Sequence, residues 1–316
     1  MGSTNSRSLR ILLAAVVPPL AGSLLVYLSA VTLGLYGWST FIGLPLFIGF
    51  TSSMIYSPRG TERLRYTITV SFLTIPVIGL MIVGMAVEGL ICLLMALPLA
   101  LPLIAVGALL GTAAARIIEN TRKGALITLM IGLIIPGLMG AEASHSDPPV
   151  LHSVVTTVEV DAPIETVWKN VVAFPEIADP PSGILNLGFA YPLNARIDGT
   201  GVGAVRYCNF NTGPFVEPIT EWSEPTKLAF DVRSQPEPMT ELSPYAELHT
   251  SHLEYIRSRR GQFRLYEKDG KTILEGTTFY THDIAPDIYW KLFSDEIIHD
   301  IHLRVLNHIK KISEEK

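Results

Sequence analysis

Residues 66–115 form a stretch of 50 residues that contains a single charged side chain, Glu88. A helix that crosses a bilayer needs about 20 consecutive apolar residues. The stretch is therefore too long for one crossing and fits two crossings, with a turn near Glu88. This feature predicts that part of the chain is embedded in a membrane.

The same criterion, applied to the rest of the chain, predicts an N-terminal all-α transmembrane bundle over residues 1–143. The first apolar run is interrupted by Pro18-Pro19, which makes it the least regular of the set. The predicted spans cover residues 9–35, 38–56, 66–87, 92–115 and 124–141.

Charge is distributed unevenly along the chain. Residues 1–140 contain eight Lys and Arg against three Asp and Glu, whereas residues 141–316 contain 16 against 26. Lys and Arg concentrate on cytoplasmic loops, and a cytoplasmic N-terminus places all eight basic residues on that side. Five spans then put the C-terminal part outside the cytoplasm. We predict an integral membrane protein of a bacterial inner membrane, and the acidic C-terminal part argues against a nucleic-acid partner.

Three features of the membrane part have two interpretations each. Glu88 is either an intramembrane functional group or, as we favour, the marker of an outer turn at headgroup level. Gly107 and Gly111 allow close helix approach, which favours packing within the bundle over homo-oligomer formation. The last span resembles a signal peptide that ends near Ala143, and an uncleaved span is favoured over cleavage.

After a polar linker at residues 144–152, the pattern over residues 153–316 changes to that of an α+β domain. Alternation predicts a strand at 154–160, and Asp161-Ala162-Pro163 starts a helix at 164–172. An amphipathic helix closes the chain at 287–314. Its predicted buried face contains Ile288, Leu292, Ile298, Ile301, Val305 and Ile309. An antiparallel sheet wrapped around that helix buries the apolar faces of both. Further strand-like runs lie at 185–196, 202–210, 215–222, 227–233, 261–268 and 272–282.

Two segments resemble the START-related SRPBCC superfamily, and within it the polyketide cyclase/dehydrase and lipid-transport group. They are VEVDAPIETVWKNVVAFPEI and the closing-helix sequence YWKLFSDEIIHDIHLRVLNHIKK. The resemblance covers roughly residues 153–312 and implies a helix-grip fold with a deep cavity for an apolar ligand. It carries over no catalytic set, and the membrane part in front departs from the usual stand-alone member.

The resemblance makes binding of a lipid or other hydrophobic small molecule the favoured function, with no cofactor. Met239 and Tyr245 belong to the long segment 235–255, which we interpret as a gate. His282 and His299 are expected to orient a polar head. The predicted ligand-binding residues are Tyr207, Phe230, Met239, Tyr245, Tyr280, His282, Trp290 and His299.

Two other functions are kept as alternatives. A membrane-tethered enzyme of the cyclase/dehydrase type would use His299, Asp283 or His282 as acid or base, because an imidazole titrates near neutral pH. A protein-interaction module would have a filled core instead of a cavity.

Other chemistry is less favoured. No metal is expected. The pairs His249/His252 and His299/His302, the latter with Asp295 and Glu296, have a spacing that suits metal ligands, but the sequence places no matching third ligand. Residues 199–203 (GTGVG) lie between strands and predict a hairpin turn instead of a phosphate loop. Arg206 and Glu217 either pair inside the domain or lie on its surface. Cys92 and Cys208 cannot form a disulfide framework.

Overall fold

The computed structural model describes residues 2–118, 121–145, 148–250 and 255–315. The chain divides into two compact units. The first consists of Met1–Asp147, Glu241–Thr250 and Ile284–Pro286, and the second of Pro148–Thr240, Ser251–Asp283 and Asp287–Lys316. Two short segments of the C-terminal half therefore belong to the first unit.

The first unit is a bundle of helices. Within the described residues, five helices are long and apolar enough to cross a membrane, namely Arg7–Thr32, Ser39–Tyr56, Leu64–Gly84, Leu90–Ile117 and Lys123–Ser144. The first helix continues through Pro18-Pro19. The α-helices are α1 (Gly2–Tyr27), α2 (Leu44–Tyr56), α3 (Leu64–Phe72), α4 (Thr74–Gly84), α5 (Leu90–Ile117) and α6 (Thr121–Ser144). Short π-helical turns, Leu28–Thr32 and Ser39–Gly43, follow α1 and precede α2.

Gly107 and Gly111 form a stripe of small residues on α5, and this glycine stripe packs against α2. A Cβ atom added to Gly107 would lie 2.2 Å from the Leu46 carbonyl oxygen. One added to Gly111 would lie 2.5 Å from the Phe50 carbonyl oxygen. The stripe is used for packing within the bundle, and homo-oligomer formation through it stays a prediction.

Glu88 lies in the turn between α4 and α5 and is buried. The Thr250 hydroxyl, in a segment of the same unit, lies 3.2 Å from Glu88 Oε1 and 2.7 Å from the Val87 carbonyl oxygen. Nearby, the Glu241 carboxylate accepts hydrogen bonds from the Ile91 and Cys92 amides, both at 3.0 Å. These amides begin α5 and have no partner within the helix, so Glu241 caps it.

The second unit is a seven-stranded antiparallel sheet with two main helices. The spatial order is β1-β7-β6-β5-β4-β3-β2, and the long helix α8 closes the unit in a helix-grip arrangement. The strands are β1 (Leu151–Val160), β2 (Pro192–Asp198), β3 (Val205–Phe210), β4 (Gly213–Ser223), β5 (Lys227–Asp231), β6 (Ile256–Lys268) and β7 (Lys271–His282). The helices are α7 (Ile164–Val172) and α8 (Asp287–Glu314).

The core of the second unit lies between the sheet and the two helices. On α7, Ile164, Val167, Trp168 and Val171 are buried at helical spacing, as the sequence predicts. They pack in one cluster with apolar side chains of the sheet and α8, including Leu228, Leu274, Leu306 and Ile309.

Two local expectations were wrong. The predicted strand at 185–196 begins instead as a 3-10 turn, Gly183–Leu187, and Gly188 has a left-handed φ of 108° that breaks an extended run. Only Pro192–Asp198 forms β2. On α8, Val305 and Ile309 are buried as predicted, whereas Ile288 and Leu292 are 78% and 67% exposed, because the first turns of the helix bury Trp290 and Ser294 instead.

The glycine-rich segment joins β2 to β3. Gly199, Gly201 and Gly203 have φ angles of 94°, 80° and 92°, which a side chain rarely adopts. The segment is a hairpin turn, in agreement with the sequence interpretation.

Candidate ligand cavity between the sheet and the closing helix

A cavity of about 100 Å³ lies between the sheet and α8 of the second unit. The sheet contributes residues of β3 to β7, and α8 contributes Ile298, Ile301, His302, Val305 and Leu306. An engineered cavity of about 150 Å³ holds benzene, whereas drug-sized ligands occupy about 300–1,000 Å³. In this conformation the cavity is therefore smaller than both, and it accommodates the end of an alkyl chain.

Arg206 and Glu217 form a buried ion pair in the wall of this cavity. They are register partners on β3 and β4, so their side chains point to the same face of the sheet. Arg206 Nη1 donates to Glu217 Oε2, and Arg206 Nε donates to the Val172 carbonyl oxygen at 3.3 Å. Arg206 is 2% exposed and Glu217 is 6% exposed.

Aromatic rings surround the Arg206 guanidinium. The Cζ atom of Arg206 lies 5.7 Å from the ring centroids of Phe174 and Phe230 and 5.5 Å from the ring centroid of Phe263. Burial raises the pKa of Glu217 above its ordinary value, and the neighbouring Arg206 only partly opposes this. Burial also lowers the pKa of Arg206, but the Glu217 carboxylate outweighs that effect and the net direction is upward.

His302 is a polar group of the wall on the α8 side. Its Nε2 lies 2.7 Å from Thr278 Oγ1 and its Nδ1 lies 3.1 Å from Thr156 Oγ1. Burial, reinforced by the nearby His299, lowers the pKa of His302 to about 4. The cavity therefore presents a neutral imidazole at physiological pH.

Among the predicted ligand-binding residues, Phe230 lines the cavity. Tyr207 points from the other face of β3, where its ring lies 4.1 Å from the Arg196 guanidinium. Trp290 is buried against Tyr289 and Phe293.

The two predicted gate residues lie in different units. Met239 is buried in the second unit and pairs with Phe189 in a short β-bridge. Tyr245 belongs to the first unit, where its hydroxyl donates to the Gly84 carbonyl oxygen at 2.9 Å. Of the segment 235–255 that contains them, residues 251–254, including His252, lie outside the described part of the chain.

The remaining predicted residues lie outside the cavity lining. His299 Nδ1 lies 2.8 Å from Thr156 Oγ1. Asp283 is exposed, and its amide donates to the Tyr255 carbonyl oxygen. Tyr280 is buried and donates its hydroxyl to Asp295 Oδ1 at 2.7 Å.

His282 belongs to a second polar cluster at the start of α8. Its Nε2 lies 2.7 Å from Asp287 Oδ1, and His152 Nε2 lies 2.8 Å from the same oxygen. His152 was assigned to the linker in the sequence analysis and was not singled out. Extending the alternation of the predicted strand at 154–160 back by two residues would have placed His152 on the same face as Val154 and Thr156.

Neither a protein-family model nor a curated protein sequence matches the chain. Solved structures that are similar to its C-terminal half include the three that follow. An aromatase/cyclase from Streptomyces sp. R1128 is 15% identical, covers 52% of this chain and 94% of its own, and has a TM-score of 0.35.

The two others have similar values. A norcoclaurine synthase from Thalictrum flavum is 14% identical over 54% of this chain and 99% of its own, with a TM-score of 0.34. The major latex-like protein 151 of Panax ginseng is 13% identical over 52% of this chain and 97% of its own, with a TM-score of 0.33. The fold assignment itself comes from the strand order and the closing helix.

Proposed function

We propose that the second unit binds the apolar part of a small molecule or lipid in the cavity between the sheet and α8. The observation that carries the proposal is the cavity itself, which has an apolar wall of Phe230, Ile301 and Val305 beside a satisfied ion pair. Filling it removes apolar ligand surface from water, at about 25 cal/mol per Å². The ion pair stays intact during binding because Arg206 and Glu217 already satisfy each other.

The five apolar helices anchor this binding unit to a membrane, with the C-terminal half outside the cytoplasm. The anchor keeps the cavity beside the lipid phase, which suits extraction, sensing or hand-over of an apolar molecule. The volume of about 100 Å³ favours insertion of one chain end instead of a whole lipid.

Cyclase-type catalysis is the second candidate function. The observation that favours it is the presence of a buried carboxylate, Glu217, and a neutral imidazole, His302, in one cavity wall. A neutral imidazole accepts a proton, so His302 would act as the base, and Glu217 stays the ionised partner of Arg206. His302 is added to His299, Asp283 and His282 as a candidate acid or base.

Native mass spectrometry of the full chain in detergent, with a panel of fatty acids and aromatic hydrocarbons, tests binding. Ile301→Trp fills the cavity from α8, and Ile288→Trp is the matched control because Ile288 is 78% exposed on the same helix. We expect a bound mass in the wild type and in Ile288→Trp, and at least a tenfold loss of binding in Ile301→Trp. Absence of a bound mass for every panel member would reject the proposal and favour the interaction-module alternative.

A further inference from the structure

The cluster of His152, His282 and Asp287 is formed by three separate elements of the second unit. On β7, Tyr280 and His282 point to the same face because side chains alternate along a strand. His152 on β1 is the register partner of Tyr280, so it is a diagonal neighbour of His282. Asp287 is the first residue of α8.

The two imidazoles approach the same carboxylate oxygen, and each does so through its Nε2 atom. His152 Nε2 and His282 Nε2 lie 2.8 Å and 2.7 Å from Asp287 Oδ1. The three ligand atoms all lie within 4.8 Å of one another. A tetrahedral ion with bonds of about 2.0–2.2 Å holds its ligand atoms about 3.3–3.6 Å apart, so each of the two N···O distances must lengthen by about 0.5–0.9 Å to admit it.

The cluster is buried on the side of the two histidines and open to solvent on the side of Asp287. The side chains of His152 and His282 are 8% and 0% exposed, whereas that of Asp287 is 50% exposed. Solvent therefore reaches the cluster from the Asp287 side, which leaves coordination positions for water or a ligand. Ser294 Oγ lies 3.4 Å from His282 Nδ1 and is placed to orient that imidazole from behind.

Two features work against an ion. The N-terminus of α8 carries a partial positive charge, so the site depends on both imidazoles as well as the carboxylate. The cluster is also satisfied without an ion if both imidazoles donate to Asp287. Partial burial raises the pKa of Asp287, but the hydrogen bonds from His282 and His152 outweigh this and hold it below its ordinary value.

We propose that His152, His282 and Asp287 bind a divalent transition-metal ion of the zinc type. Two imidazole nitrogens and one carboxylate oxygen match the preference of such ions for borderline nitrogen and oxygen ligands. This differs from the sequence expectation that no metal is bound. None of the three residues lines the cavity, so metal binding at this site and ligand binding in the cavity can be tested independently.

Cobalt(II) titration of the untagged full chain in detergent, after treatment with a chelator, tests this site. We expect one ion per chain and visible absorption typical of a four- or five-coordinate ion. His152→Ala and Asp287→Asn should each weaken the affinity at least 100-fold. The matched controls are His145→Ala and Asp283→Asn, since both residues are exposed and lie outside the cluster.

X-ray absorption of the cobalt-loaded wild type provides a measurement that needs no variant. The expected spectrum contains scattering from two imidazole rings, in keeping with His152 and His282 as ligands. Fewer than two imidazoles would overturn the proposal. So would the absence of saturable binding, or equal affinity in the wild type, His152→Ala and Asp287→Asn.

Discussion

Arg206 and Glu217 are cross-strand partners on β3 and β4 whose opposite charges meet inside the second unit. Neither has access to bulk water, and the aromatic rings of Phe174, Phe230 and Phe263 enclose the guanidinium. Each charge is therefore stable in this position only while the other is present.

Removal of one partner is expected to destabilise the second unit strongly. Arg206→Ala or Glu217→Ala leaves a buried charge without its partner, which costs about 3–5 kcal/mol. The double variant Arg206→Met with Glu217→Leu should recover most of that loss, because it removes both charges and keeps the volume. Thermal unfolding followed by tryptophan fluorescence measures both effects, and single variants with wild-type stability would show that the pair is solvated.

His302 predicts a specific dependence of stability on pH. Its pKa is about 4 in the folded chain against 6.5 in the unfolded chain, so the unfolded state binds the proton more readily between these values. The contribution of His302 is complete above about pH 6.5 and is lost as the pH falls towards 4. This lowering of the pKa of His302 corresponds to about 3 kcal/mol of stability.

His302→Gln removes this titration. The difference in unfolding temperature between wild type and variant should therefore change from pH 7 to pH 4, and the variant should lose less stability on acidification. A difference that stays constant over this pH range would contradict a depressed pKa.

The glycine stripe of α5 predicts which substitutions the membrane bundle tolerates. Gly107→Ala would place a Cβ atom 2.2 Å from the Leu46 carbonyl oxygen, so α2 and α5 must separate. We expect a loss of about 1–3 kcal/mol, as for other overpacked sites. Gly137→Ala is the control, because an added Cβ there meets nothing within 4 Å.

Helical circular dichroism during heating in detergent, together with native gels, tests this prediction. Unchanged unfolding of Gly107→Ala combined with loss of an oligomer would instead place the stripe at a subunit interface.

The proposed topology predicts the sides on which two exposed threonines lie. Thr200, in the turn between β2 and β3, should be extracytoplasmic, and Thr61, between α2 and α3, should be cytoplasmic. In intact cells, a membrane-impermeant maleimide should label Thr200→Cys and leave Thr61→Cys unlabelled. The wild type is the control, because it shows how much label reacts with the native Cys92 and Cys208. Labelling of Thr61→Cys without labelling of Thr200→Cys would show that the topology is the opposite of the proposed one.

Regular elements with strong local signals could be predicted closely. The bounds of α7 and α8 agree with the sequence prediction at 164–172 and 287–314. Each has a start signal, and α7 has an apolar face at helical spacing that is buried as expected. The number of long apolar helices agrees for the same reason, since bilayer thickness sets the length of a span.

The candidate sites could not be located in this way. Alternation shows that Arg206 and Cys208 share one face of β3, but not whether that face is inside or outside. The strand order and the position of α8 decide this, and they turn Arg206 and Glu217 inwards and Tyr207 outwards. The same placement brings His302 to the cavity and leaves His299 beside Thr156.

The residue pattern alone was sufficient for the class of the protein, with five apolar helices followed by an antiparallel sheet and a long helix, because these features depend on periodicity and length. Only the tertiary structure brought His152, His282 and Asp287 together, since they lie up to 135 positions apart in the chain. Distant residues meet through strand register and helix docking, and these arise from the packing of the whole unit.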